Sequence, residues 1–192
     1  MSGRTSLTVY PGMSGMAENA FINVKNRSFS ISADVQIPSS GASGVILAQG
    51  GRFGGWSLWL QDGRPRFTYN WLGIERYEIV AKEPVPSGDR NIHFGFAYDG
   101  GEPGSGGLGR ISVDGAYVAE GRIARTQPFL FDEGADVGED LATPVSEEYR
   151  VPASFTGKIQ KVTIEVQPIA VADRAAVEES ASLGLERLVE FE

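Results

Sequence analysis

The stretch Ser28-Phe29-Ser30-Ile31-Ser32-Ala33-Asp34-Val35-Gln36-Ile37 decides the fold. Apolar Phe29, Ile31, Ala33, Val35 and Ile37 alternate without a break with Ser28, Ser30, Ser32, Asp34 and Gln36. In an extended chain successive side chains point to opposite faces, so this period gives one buried face and one wet face. A helix would scatter the same residues round its circumference. The segment is a strand, and its apolar face requires a second layer of structure to cover it.

Further strands follow on both sides of a series of turns. Gly44 to Gln49 is a short apolar run. Gly55 to Gln61 places Trp56, Leu58 and Leu60 on one face and Ser57, Trp59 and Gln61 on the other. Asp62-Gly63 tolerates the positive φ of a tight hairpin, and Arg64 to Trp71 returns from it. Arg76 to Ala81, Asn91 to Asp99, Arg110 to Asp114, Ala116 to Ile123 and Lys158 to Gln167 read as strands too. Gly100 to Gly109 is dense in glycine and reads as a flexible loop. Phe129 to Arg150 is long, acidic and poor in strand signal, the mark of a functional or Ω-type loop. Val171 to Val189 reads as a short C-terminal helix weakened at Gly184. The expected architecture is all-β: a concanavalin A-like jelly-roll sandwich of two antiparallel sheets over residues 1–170, followed by a helical segment over 171–192.

Composition narrows the function. The chain has 192 residues and a formal net charge of −8, which argues against a nucleic-acid or anionic-membrane partner. It has no cysteine, so disulfides, zinc thiolates and thiol nucleophiles are excluded. Met1 to Gly15 lacks a signal-peptide core, and no apolar run reaches the length of a membrane span. These features fit a cytoplasmic or a periplasmic protein, with any export signal outside this sequence.

Catalytic constellations are sparse. The one histidine, His93, cannot build a two-histidine metal site, and it lies opposite Ile92, Phe94 and Phe96 as a second-face strand residue. A glycosidase needs two carboxylates aimed into one cleft, whereas Glu75 and Glu78 fall on opposite faces and Glu83 stands alone. Asp132, Glu133, Asp136, Glu139 and Asp140 crowd the long loop. Of these, Asp136, Glu139 and Asp140 are candidate calcium ligands, although a solvated loop capping its own amides is the simpler expectation. A binding platform is the remaining candidate. Trp59, Tyr69, Trp71 and Tyr77 are close in sequence, and flat aromatic rings are what sugars stack on, although burial of these aromatics between the sheets or under loops is the simpler expectation.

Several ordered motifs resemble one known family. Tyr10-Pro11-Gly12-Met13 and Lys25-Asn26-Arg27-Ser28 are followed by the long run Gly44-Val45-Ile46-Leu47-Ala48-Gln49-Gly50-Gly51-Arg52-Phe53-Gly54-Gly55-Trp56-Ser57-Leu58. Tyr69-Asn70-Trp71-Leu72-Gly73, Phe96-Ala97-Tyr98-Asp99-Gly100-Gly101, Asp136-Val137-Gly138-Glu139-Asp140 and Phe155-Thr156-Gly157-Lys158-Ile159 continue in order. Together they resemble the C-terminal, non-catalytic region of large microbial arylsulfatases. In that family a separate α/β domain hydrolyses sulfate esters with a formylglycine made from Cys or Ser in a C/S-x-P-x-R motif, beside a calcium ion. Neither a cysteine nor a Ser-x-Pro-x-Arg spacing occurs here, so no catalytic residue carries over. The resemblance implies an accessory sandwich without catalysis, packing on or completing a sulfatase catalytic domain in cis or in trans. The alternative is a stand-alone carbohydrate- or protein-binding module, with self-association open to either.

Overall fold

A computed structural model describes residues 4–168. The proposed C-terminal helix lies outside the described residues. The strands are β1 (Ser6–Val9), β2 (Phe29–Ile37), β3 (Gly44–Gly51), β4 (Gly54–Gln61), β5 (Arg64–Trp71), β6 (Glu75–Val80), β7 (Gly88–Tyr98), β8 (Ser105–Val113), β9 (Ala116–Arg125), β10 (Ala135–Val137) and β11 (Lys158–Val166). They form two antiparallel sheets, one ordered β1-β11-β2-β7-β8-β9 and the other β10-β3-β4-β5-β6. The fold is the expected all-β sandwich, and no helix occurs among the described residues.

The strand read first sits inside the six-stranded sheet, paired on one side with β11 and on the other with β7. Its apolar set, Phe29 to Ile37, is buried, while Ser30, Ser32, Asp34 and Gln36 face outward. Opposite it, Trp56, Leu58, Leu60, Phe67, Tyr69 and Ile79 line the inner face of the five-stranded sheet. Phe67 and Phe94 close the gap between the layers. Their rings stack with centroids 3.5 Å apart and planes 6° from parallel.

Three segments depart from the sequence reading. The glycine-rich stretch is not all loop, because Ser105 to Gly109 opens β8. Glycine is required there for packing rather than for flexibility. A Cβ on Gly107 would lie 2.4 Å from the Phe96 ring, and one on Gly109 would lie 2.4 Å from Ile79 Cδ1. The long acidic segment contributes β10, which pairs with β3 at the sheet edge. Ser6–Val9, not foreseen as a strand, pairs with β11 as an edge of the six-stranded sheet.

Phe94→Ala should remove the stacked contact between the layers and leave a cavity, lowering the unfolding free energy by about 3–5 kcal/mol. Ile74→Ala, at a site 69% exposed, should change it by less than about 0.5 kcal/mol. Urea denaturation of both variants measures the contrast.

Candidate functional site

Each sheet turns one face outward, and the two outer faces have opposite fates. On the five-stranded sheet, Val45, Ala48 and Trp59 make an apolar outer surface. The chain after β10 crosses it as a strap, and Ala153 and Tyr149 seal it. The Trp59 and Tyr149 rings meet edge to face at 5.0 Å. Trp59 Nε1 donates to Thr68 Oγ1 at 2.9 Å, Ser146 Oγ donates to Glu78 at 3.0 Å, and Arg66 lies over the Trp59 ring. Gly44 lets the strap approach, since a Cβ there, at φ +103°, would meet the Ser154 carbonyl at 2.1 Å.

The four aromatic residues singled out from the sequence therefore do not form one exposed platform. Trp59 is 2% exposed beneath the strap. Tyr69 faces the opposite way, into the core, where its hydroxyl accepts a hydrogen bond from Gln127 N at 2.8 Å. Trp71 and Tyr77 are half-buried at the mouth between the sheets. Arg125 lies 5.1 Å over the Trp71 ring, and the Tyr77 hydroxyl donates to Glu75. Alternation correctly separates Trp59 from its strand neighbours, but it does not show that a later segment covers it.

The acidic residues hold the strap together. Asp136 accepts Gly15 N at 2.7 Å on one oxygen and Leu141 N at 3.1 Å on the other. Asp140 accepts the Tyr149 hydroxyl at 2.5 Å and Val145 N at 3.4 Å. Glu133 accepts the amide and hydroxyl of Thr143. Calcium needs six or more converging oxygens. Both oxygens of Asp136 and Oδ2 of Asp140 accept N–H or O–H donors, and among the described residues no three His, Cys, Asp or Glu side chains gather to hold a metal.

The outer face of the six-stranded sheet is open. Register alignment across it lays out side chains in rows. One row runs Glu165, Ser30, Gly95, Arg110, Glu120 across β11, β2, β7, β8 and β9. The next runs Thr163, Ser32, His93, Ser112, Tyr117. Ser30 and Gly95 are small, so the middle of the first row sinks between taller neighbours. The result is a groove of about 300 Å³, walled by His93, Leu108, Arg110, Tyr117, Glu165 and Gln167. That is the lower end of the size range of small-molecule sites.

A β-bulge completes the groove. The register of β8 against β9 shifts so that Ser112 faces Tyr117 while Ile111 faces Ala119, leaving Val118 as the extra residue. In a regular strand Tyr117 and Glu120, three apart, would point to opposite faces. The bulge turns both outward, Glu120 opposite Arg110 and Tyr117 opposite Ser112. Arg110 Nε donates to Glu120 at 3.0 Å, and the guanidinium lies 5.7 Å over the Tyr117 ring. Tyr117 is 77% exposed. His93 is half-buried in the wall, and desolvation pushes its imidazole below the ordinary value against the opposing pull of Glu165. His93 is therefore neutral at pH 7.

This constellation offers paired donors and acceptors from Arg110 and Glu120, hydroxyls from Ser30 and Tyr117, and an exposed aromatic ring. Sequence reading placed His93 correctly on the second face but missed Arg110, Tyr117, Glu120 and Glu165 as a group. They come from the β8–β9 hairpin and from β11, far from it in sequence, and strict period two misplaces Tyr117. The odd spacing of two exposed polar residues within one strand, Tyr117 and Glu120, is the one local signal.

Neither a protein-family profile nor a curated protein sequence matches the chain. Solved structures do. The carbohydrate-binding module CBM40 of the Ruminococcus gnavus IT-sialidase, bound to α2,3-sialyllactose, superposes with a TM-score of 0.54 at 10% identity, over 86% of this chain and 93% of that one. A leech intramolecular trans-sialidase gives 0.51 at 8% identity, over 91% of this chain and 27% of that one. Domains LG4-5 of the mouse laminin α1 chain give 0.47 at 17% identity, over 86% of this chain and 40% of that one. This chain thus spans less than half of the laminin and trans-sialidase chains. At these identities the likeness is one of fold, and it is that of the jelly-roll modules.

Asp140 supplies a test of the strap. Burial raises its carboxyl to about 6, against hydrogen bonds from Tyr149 and Val145 that favour the anion. The folded state thus binds a proton more tightly than the unfolded chain. Between about pH 4 and 6 it holds more protons than the unfolded chain, so stability from this group falls as pH rises through that window. Relative to Asp140→Asn, the natural protein should gain on the order of 1–2 kcal/mol as pH falls from 7 to 4.5. Urea titrations of both proteins across that range measure it, and parallel pH curves would refute the assignment.

Proposed function

We propose that this chain is a carbohydrate-binding module whose ligand face is the outer groove of the six-stranded sheet. The observation that carries the reading is the convergence of an exposed tyrosine ring, an Arg–Glu pair and small floor residues in one open groove. Sugar rings present C–H faces to aromatics and hydroxyls that both donate and accept. An arginine beside a carboxylate meets neighbouring hydroxyls with both functions at once. The likeness in fold to a sialyllactose-bound module supports the same reading.

A second reading, an accessory domain packing on a sulfatase catalytic domain, draws on a separate observation. Three of the motifs that resemble arylsulfatases, those containing Ile46, Gly138 and Phe155, meet at the strap, whereas Ser28, Phe96 and Ala97 of two others line the groove. Gly138 N donates to Ile46 O at 2.9 Å, Phe155 N to Gly138 O at 2.8 Å, and Thr156 N to Ser43 O at 2.8 Å. These residues fasten the strap to the five-stranded sheet, away from the groove. An upstream C/S-x-P-x-R domain in the parent gene would support the second without touching the first.

Glycan-array screening followed by calorimetry tests the binding reading. Tyr117→Ala and Arg110→Ala should each weaken binding of the best ligand by about tenfold or more, on the scale of one lost aromatic or charged contact. Trp59→Phe, beneath the strap, should leave affinity within about twofold of the natural protein while lowering stability.

A further inference from the structure

The groove has a sign. Arg110 is its one cationic side chain at pH 7, and Glu120 lies 3.0 Å away to neutralise it. On the rest of the face, Arg122 pairs with Asp99, Lys161 with Asp34 at 3.6 Å, and Arg90 with Asp114 at 3.3 Å. Glu165 stands at the far end of the central row, and among the described residues it has no cationic partner within salt-bridge distance. His93 beside it is half-buried and does not offset that charge. The lining therefore carries one uncompensated negative charge, on a chain whose formal net charge is −8.

From this we infer that Glu165 is a specificity-determining residue that makes the groove select uncharged or amino sugars and reject glycans bearing carboxylate or sulfate. The inference rests on the carbohydrate-binding reading above and sharpens it. An acidic sugar entering the groove meets Glu165 at one end and an already satisfied guanidinium at the other. Any contact it gains with Arg110 must displace Glu120 or share with it. An uncharged sugar has no such conflict, and an ammonium group on a hexosamine gains from Glu165. Two like charges about 4 Å apart in high dielectric repel by about 1 kcal/mol, which is roughly a fivefold loss of affinity. Repulsion of this kind is a standard route to discrimination between similar partners. The module similar in fold is solved with α2,3-sialyllactose, so the inferred preference is opposite in sign to that ligand.

The test uses the full chain on an array of matched pairs: lactose with 3′-sialyllactose, each of several neutral oligosaccharides with its sulfated form, and chitosan oligomers with their N-acetylated forms. The neutral member should be retained at least about fivefold better than its acidic partner, and the amino sugar at least as well as its acetylated form. Raising the salt concentration should shrink the preference, because the groove is open to solvent. Glu165→Gln, at an exposed position, should bring each neutral-to-acidic ratio close to one, with an unchanged melting temperature showing that the variant is folded. Equal or tighter binding of the acidic members, or ratios unmoved by Glu165→Gln, would overturn the inference while leaving carbohydrate binding intact. An array on which no glycan of either kind is retained would overturn both.

Discussion

Everything here depends on the pairing of β2 with β11 on one side and β7 on the other. Strict alternation from Phe29 to Ile37 leaves one register in which the apolar set is buried. A slip of one residue would place Ile31, Ala33 and Val35 in water and Ser30 and Ser32 in the core. The same register decides the surface. With Ile31 opposite Phe94 and Ile164, Ser30 must stand opposite Gly95 and Glu165. The pairing of β7 with β8 then brings Arg110 beside Gly95. Core packing and groove geometry are two faces of one hydrogen-bonded ladder. The groove residues need no dedicated scaffold, because the buried side of the sheet already fixes them.

The two outer faces show how a sandwich allots its surface. The five-stranded sheet carries Val45, Ala48 and Trp59 outward, a patch too apolar to leave in water. The strap covers it, and its carboxylates satisfy the backbone amides that a buried crossing would otherwise leave unpaired. The outward residues of the six-stranded sheet are mostly small, polar or charged, such as Ser30, Ser32, Asp34, His93, Arg110 and Glu165, which water solvates well. That face can stay open, and an open polar face with one exposed ring is available for ligands. The most aromatic outer face is thus closed, and the mildly polar one is the candidate site.

This contrast explains what could be read from the sequence. Alternation reveals β2, β4, β5, β7 and β11, because a half-buried strand writes its environment into every second residue. It also separates Trp59 from Trp56, and Tyr69 from its outward neighbours. Three kinds of information are missing from it. A residue's face does not reveal what later crosses that face, as Trp59 shows. Glycine has two opposite uses, and Gly107 and Gly109 serve close packing where a loop was expected. A bulge is a change of register, visible only against the partner strand, so Tyr117 joins Glu120 on one face in a way that no local period predicts. Secondary structure depends mostly on neighbours along the chain, whereas the groove depends on neighbours across it.

The residues that close the strap and the residues that wall the groove are largely separate sets. Gly44, Gly138, Phe155 and Thr156 belong to motifs that tie the strap to β3, and Asp136 and Asp140 brace it. These are requirements of closing one sheet, and any chain with this strap must meet them, whatever it binds. His93, Arg110, Tyr117, Glu120 and Glu165 lie outside those motifs and make no contribution to closing the strap. A sequence can therefore keep the first set for folding and vary the second for ligand choice. The shape and charge of the groove are set by five side chains on four strands, and the shared architecture alone does not dictate them.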